Sequence, residues 1–483
     1  MPEKIHNWIN GNQHITENIE FIEKYNPNDG NVIFEFVNSN SSILDLAINS
    51  AKSSFDCWSK INPVNRGKLL DKFVSIIFAN KQLLSSIISL ETGKSLKNAE
   101  LEVDACISLG NFYSSEGMRL YANSLTSGID GKTSFTTRCP IGIAALIVPA
   151  NTPLANIVWK LFPALICGNT VIIKSSEDAP KLAYEIARLS KESNIPDGVI
   201  NVLHGKGIEI GRKLIENPLI PLISFTGSTQ VGKNIAEIAG RRLARVSLEL
   251  GGKNPIIICS DADFENALKW TLLSAFSNAG QRCAASSRIL IEEGIYNKFI
   301  KELIVRTLSL KIGINNEDDL GPVINLKQQE SILNNISKCI KDGGVLLCGG
   351  DKPKLKTNGY YINPTLIELH NNNFDLLKNE IFGPVATIQK VKDIKEALSI
   401  TNDSEYGLTS AIHTSNIDKA IWFAQNARTG IVNVNIGTYG SEPHMPFGGF
   451  SNSGNGTREP GVEAINFYSE LKNISILVRE TNI

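Results

Sequence analysis

Residues 221–234 read PLISFTGSTQVGKN, and Gly227, Gly232 and Lys233 have the spacing of a loop that wraps phosphate. An apolar run ends at Gly227 and a helical pattern follows, the setting such a loop requires. Its last position departs from a magnesium-dependent nucleotide hydrolase, because Asn234 stands where Ser or Thr would place a hydroxyl on the metal. What survives is a set of N–H groups at a helix start beside Ser228, suited to a pyrophosphate. The run HGKGIEIG adds Gly205, Gly207 and Gly211 after another strand, without the acidic residue of an ordinary dinucleotide fingerprint. Eight cysteines, at 57, 106, 139, 167, 259, 283, 339 and 348, include no Cys-x-x-Cys pair, and the six histidines have no ligand spacing. Neither a metal site nor a disulfide framework is signalled. Taken singly, Cys283 reads as a small buried hydrophobe, Asn151 as a helix cap and Glu249 as a salt-bridged carboxylate at a strand end.

The elements that position these residues come in two sets. Residues 42–118 carry apolar side chains at helical spacing, and 122–140 read as an extended hairpin around Gly128 and Asp130-Gly131. From 141, apolar strands alternate with helices: IGIAALIV, NTVIIK, GVINVL, PLISF and RVSLEL are strands, with helices over 153–166, 180–193, 207–216 and 229–240 between them. Such βα repetition predicts a parallel sheet covered on both faces, with ligands outside the strands' carboxyl ends. A second α/β unit starts near 252 with NPIIIC, then a helix over 262–280, and alternation continues to about 436.

With 483 residues, two or three domains are expected. A hydrophobic share of 42% and a charged share of 20% describe a folded chain. Forty-eight basic residues against 49 acidic ones give no reason to expect nucleic acid or an anionic membrane as partner. The N-terminus has no apolar run behind its basic residues, and Pro149, Asn151 and Pro153 break the apolar window at 141–159. That window reads as strand, turn and helix rather than a membrane span, so a soluble, cytoplasmic protein is expected.

Seven segments taken together, VPANTP, VIIKSSEDAP, FTGSTQVGK, SLELGGKNP, NAGQRCAASSR, NEIFGPV and PFGG, resemble the aldehyde dehydrogenase superfamily in order and spacing from about residue 20 to 475. The resemblance implies a Rossmann-like cofactor domain, an α/β catalytic domain and a small β bridging arm. It assigns 1–121 and 141–251 to the NAD(P)-binding domain, 252–452 to the catalytic domain, and 122–140 with 453–483 to oligomerisation arms. The implied reaction oxidises an aldehyde to its carboxylate. Cys283 would be the nucleophile, with Asn151 and the Cys283 N–H stabilising the oxyanion. Glu249 would activate the water that hydrolyses the thioester. Its presence points to the hydrolytic branch, since branches that pass the acyl group to coenzyme A or phosphate usually lack it. Lys160 and Glu459 resemble a proton-relay pair. Arg282 could lower the thiol pKa, although an ion pair is the expected role for that side chain.

By the same resemblance Gly227 and Ser228 contact the pyrophosphate, with Gly207 and Gly211 nearby, and Lys174 and Glu177 reach the adenine ribose. A carboxylate at 177 favours NAD, with NADP possible. Ser175 stands where the family usually has proline. Glu380 and Phe382 match residues that hold the nicotinamide ribose and ring. Trp159, Phe447 and the polar loop IGTYGSEPHM (436–445) should line the substrate tunnel, and the tail from 453 looks closer to branches oxidising semialdehydes or hydroxylated aldehydes. The hairpin and the terminal strand ISILVRE resemble subunit-joining arms, so a homodimer or homotetramer is expected. Two other readings stand beside this one: a hydrolase built on Gly227–Lys233, and a non-catalytic relative.

Overall fold

The computed structural model describes residues 2–478. Its first sheet has seven strands in the order Arg245–Glu249, Leu222–Thr226, Ile143–Ile147, Thr170–Lys174, Ile200–Leu203, Asn7–Ile9, Asn12–His14. The first five are parallel; Asn7–Ile9 joins antiparallel to Ile200–Leu203 and extends the edge. Strands 143–147, 170–174 and 200–203 follow one another outward. The chain then returns to the other flank of Ile143–Ile147 for Leu222–Thr226. The strand order therefore reverses there, the point at which sheets of this kind bind ligands.

The sequence explains the burial. Leu222, Ile223, Val171, Ile172, Ile173 and Ala144 to Leu146 are fully enclosed, because helices cover both faces of the sheet. Two helices of that cover, Pro153–Ile166 and Pro180–Ser190, begin with proline and receive no hydrogen bond from an N-cap side chain of their own. A buried glutamate from the helical layer at 41–116 serves each. Glu102 Oε1 accepts from the N–H groups of Leu154 and Ala155, at 2.9 and 3.3 Å. Glu91 accepts from Lys181 and Leu182, at 2.7 and 3.2 Å. A carboxylate satisfies the orphan N–H groups and meets the positive end of the helix dipole.

The second sheet runs Val345–Cys348, Thr365–Glu368, Val385–Val391, Ser286–Glu292, Asn254–Ile258, Thr409–His413, Ile431–Val434, with only the first strand antiparallel. The helix expected over 262–280 stops at Phe276. Residues 277–280 form a separate turn in which Asn278 and Ala279 are left-handed, at φ 55° and 52°. Gly280 is left-handed as well, and a Cβ there would lie 2.1 Å from the Gly383 carbonyl oxygen, so only glycine fits.

The hairpin forms from Ser124–Leu125 and Lys132–Pro140, and Ser469–Leu477 pairs antiparallel with the whole of the longer strand. Of the strand expected over 474–480, Arg479 and Glu480 lie outside the described residues. Residues 453–468 depart from the expected arm. Ser453 O accepts from Leu250 N–H, Gly454 bridges to Glu249, and the helix Glu463–Tyr468 packs into the first unit's core. The segment has apolar residues to bury there, Ala464, Ile465, Phe467 and Tyr468. Among the described residues no single helix is long and apolar enough to cross a membrane.

Candidate active site

A cavity of about 410 Å³ opens where the first sheet's order reverses, walled on its far side by the second unit. Nine of the residues singled out in the sequence line it: Asn151, Trp159, Gly227, Ser228, Glu249, Cys283, Glu380, Phe382 and Phe447. Asn151 follows the strand Ile143–Ile147, and Gly227 and Ser228 follow Leu222–Thr226, both at carboxyl ends. Glu249 is the last residue of its strand. Cys283 stands instead just before the strand Ser286–Glu292, so the second unit presents its thiol from a strand's amino end.

The Cys283 loop is held by residues that sequence patterns did not flag. Asn254 Nδ2 donates to the carbonyls of Cys283 and Ala285, at 2.7 and 2.9 Å, and Thr438 Oγ1 donates to Ala284 O at 2.6 Å. Gln281 ties the preceding turn to Pro322 and Ile324. Asn278 Nδ2 donates to both Asn151 O and Gln281 O, at 3.2 Å each, and so joins the two loops. A left-handed asparagine at a helix end is the one local signal that could have exposed this turn. Burial, with the nearby Glu380 and Glu249, pushes the largely buried Cys283 thiol up to about 12, against smaller opposing effects from the Ala284 N–H and Arg282.

Arg282 makes no ion pair among the described residues, contrary to expectation. Its guanidinium lies 4.8 Å from the Tyr439 ring centre, and its Nε is buried without a partner. The loop around Tyr439 supplies an aromatic face rather than a carboxylate.

Glu249 is buried, and neither carboxyl oxygen has a hydrogen-bond partner among the described residues. Burial, then repulsion from Glu459, raises its pKa well above the ordinary carboxylate range; Lys160 and Arg458 oppose this. Lys160 lies outside the cavity wall. Its Nζ donates to Ser224 Oγ and Glu459 Oε2, both at 2.8 Å, and Tyr468 donates to the same carboxylate at 2.9 Å.

Four other singled-out residues stand apart, along the same carboxyl edge of the first sheet. Lys174 ends one strand and Glu177 follows it; Gly207 and Gly211 follow the neighbouring strand. Glu177 Oε1 accepts from Gly207 N–H at 2.9 Å. Lys174 is buried, and that burial lowers its pKa to about 8. The helix expected over 207–216 is a π-turn, Gly207–Gly211, followed by a short α-helix, Arg212–Glu216. Ser175 continues the strand where proline could not: its N–H donates to Leu203 O at 3.2 Å, and its hydroxyl meets His204 Nδ1 at 2.7 Å.

On the cavity's other wall Glu380 Oε1 accepts from Gly252 N–H at 3.1 Å, and burial pushes its carboxyl up to about 7. Phe382 is left-handed at φ 55°, and Gln328 braces it by donating to Ile381 O and Phe382 O. Trp159 and Phe447 meet edge to face at 5.2 Å, and Tyr439 packs against the same cluster. Among the described residues no group of His, Cys, Asp or Glu side chains could hold a metal ion.

The opening loop behaves as a helix start rather than a nucleoside-triphosphate loop. Ser228 Oγ accepts from Val231 N–H, Gly232 is buried, and Lys233 points to solvent.

A sheet that reverses at its ligand edge, facing a thiol, a buried carboxyl and an amide across one cavity, defines a two-unit α/β protein with its ligand site at the switch point. The profile described as "Aldehyde dehydrogenase family" matches residues 14–474. Alpha-ketoglutaric semialdehyde dehydrogenase of Bacillus subtilis is 35% identical over 475 residues, covering 97% of each chain. Retinaldehyde dehydrogenase 3 of Mus musculus is 35% identical over 98% of this chain and 93% of its own. The crystal structure of PnpE in complex with nicotinamide adenine dinucleotide superposes with a TM-score of 0.96 at 33% identity, covering 100% of this chain and 99% of that one. The chain belongs to the aldehyde dehydrogenase family, and as an enzyme of that family it oxidises an aldehyde with NAD(P). The hydrolase and the non-catalytic readings fall.

Proposed function

We propose that Cys283 adds to the aldehyde carbon and that Glu249 activates the water which later hydrolyses the resulting thioester. One observation carries the reading: a buried carboxyl with both oxygens unpartnered faces the cavity that the thiol also lines. Native proteins rarely leave such a group unsatisfied, and a reacting water accounts for it. Asn151 Nδ2 and the Cys283 N–H receive the negative charge that develops on the aldehyde oxygen. Lys160 and Glu459 sit behind Glu249, set its charge and pass on its proton.

The residues present fit a dinucleotide. Ser228 and the N–H groups of the helix Thr229–Arg241 suit the pyrophosphate, Glu177 and Lys174 the adenine ribose with Gly207 and Gly211 beside them, and Glu380 and Phe382 the nicotinamide end. When bound, a dinucleotide held by these residues would supply the hydride acceptor that the oxidation requires. Residues 1–121 and 141–251 then form the cofactor domain and 252–452 the catalytic domain, with the bridging arm made by 122–140 and the strand from Ser469.

Two relatives of equal identity are named for unlike aldehydes, one a keto-acid semialdehyde and one an apolar retinoid. Arg282, adjacent to the nucleophile and without a counter-ion, favours an aldehyde bearing a carboxylate. The outer strand Ser469–Leu477 keeps one edge open and exposes Leu471 and Leu477, which supports a homodimer or homotetramer. Eight free cysteines suit a reducing, cytoplasmic setting.

The test is NADH production from acetaldehyde, benzaldehyde and succinate semialdehyde with each dinucleotide. Cys283→Ala should abolish it. Glu249→Gln should keep a first burst and stall turnover. Unchanged steady-state rates in either variant would refute the assignment. Arg282→Leu should raise KM for succinate semialdehyde alone.

A further inference from the structure

Asn156 lies one helical turn beyond Asn151, and it lines the same cavity while itself buried. Its Nδ2 lies 3.2 Å from Asn151 Oδ1 and 2.9 Å from both Thr152 O and Thr152 Oγ1, so its two hydrogens are shared among three acceptors. At the far end of the Asn151 amide, Nδ2 donates to Gln281 O at 3.0 Å.

The chemistry of these acceptors removes the ambiguity that usually attends an amide. Thr152 O and Gln281 O are carbonyl oxygens and can only accept. Thr152 O therefore requires nitrogen on the near side of Asn156. Gln281 O requires nitrogen on its side of Asn151. The oxygen of Asn151 is left facing Asn156, where it finds a donor. A flipped Asn151 would set its NH2 against the NH2 of Asn156 and its oxygen against the Gln281 carbonyl, and lose both bonds. The retained orientation uses one amide hydrogen on Gln281 O and leaves the second for a ligand. The backbone beneath is fixed from another element: Glu102 caps the helix at Leu154 and Ala155, and its second oxygen is ion-paired with the buried Lys94.

We propose that Asn156 is the positioning residue that orients the Asn151 amide so that an N–H, and not the oxygen, meets the developing oxyanion. This rests on the oxyanion role assigned to Asn151 above. Removing Asn156 frees the amide to populate the flipped state, in which its oxygen repels the charge it should stabilise.

The test is a double-mutant cycle on the aldehyde oxidised fastest among acetaldehyde, benzaldehyde and succinate semialdehyde. Asn156→Leu removes the donor. Asn156→Asp keeps the shape and, assayed at a pH high enough to ionise it, presents only acceptors. Each is made alone and with Asn151→Ala, and NAD binding to every variant is followed by tryptophan fluorescence. Both single variants should lose about tenfold or more in kcat with NAD affinity unchanged, since small misplacements at a reacting centre cost that much. Neither should lose more on the Asn151→Ala background, because residues acting as a unit are not additive. A kcat within twofold of the parent, or the same fold-loss with and without Asn151, would overturn the positioning role. Full activity in Asn151→Ala alone would overturn both the oxyanion reading and this one.

Discussion

Lys160 Nζ lies 2.8 Å from Glu459 Oε2, and 299 residues of chain separate the two. Both are fully enclosed, and Ser224 and Tyr468 complete the carboxylate's hydrogen bonds. Lys160→Met strands Glu459 as an uncompensated charge and should cost about 3–5 kcal/mol in urea unfolding. Adding Glu459→Gln should restore most of it. Equal stability of the single variant and the parent would show that the pair is not coupled as its geometry implies.

The high thiol pKa of Cys283 fixes how its reactivity depends on pH. With the group pushed up to about 12, only the small thiolate fraction reacts, and that fraction grows about tenfold per pH unit. Iodoacetamide labelling at Cys283, mapped by mass spectrometry, should climb steeply from pH 7 to 9. A plateau between pH 7 and 8 would contradict the burial argument.

Glu380 should make NAD binding sensitive to acid. Its carboxyl is raised to about 7 by burial, so the carboxylate proposed to accept the ribose hydroxyls is lost as pH falls through that value. NAD affinity should weaken from pH 8 to pH 6, and Glu380→Gln should bind less tightly with a flat profile. A pH-independent parent would remove Glu380 from the cofactor site.

Gly448 makes room for the Glu249 carboxyl. A Cβ there would lie 2.8 Å from Arg458 Cδ and 3.0 Å from Glu249 Oε1, on a backbone at φ 141° that side chains rarely adopt. Gly448→Ala should lose most of its turnover while circular dichroism stays near the parent's. An active alanine variant would show that Glu249 has more freedom than its packing suggests.

The order of strands and helices from 141 onward was legible because buried parallel strands are continuous apolar runs between turn residues. The lining residues were legible only as a set, since Cys283, Glu249 and Asn151 taken singly read as structural. What escaped was held by distant contacts. Asn7–Ile9 and Asn12–His14 are three residues each, too short for a period to declare itself; the first pairs with Ile200–Leu203 and the second with the first. The caps Glu91 and Glu102 lie on different helices from those they cap. Asn254, Thr438 and Asn156 act through hydrogen bonds whose partners no local pattern announces. Helical periodicity also ran four residues past Phe276, because apolar spacing carries no mark of left-handed backbone.

The tie between residues 160 and 459 also sets an order of events in the cell. A ribosome makes the central helix and strand of the cofactor unit long before it makes the acid that neutralises their lysine. Until Glu459 emerges, enclosing that lysine costs either its hydration or its proton, so the interior around it closes less firmly. The cofactor unit therefore gains its internal counter-charge 299 residues after the lysine is made, and its last increment of stability comes only with the end of the chain.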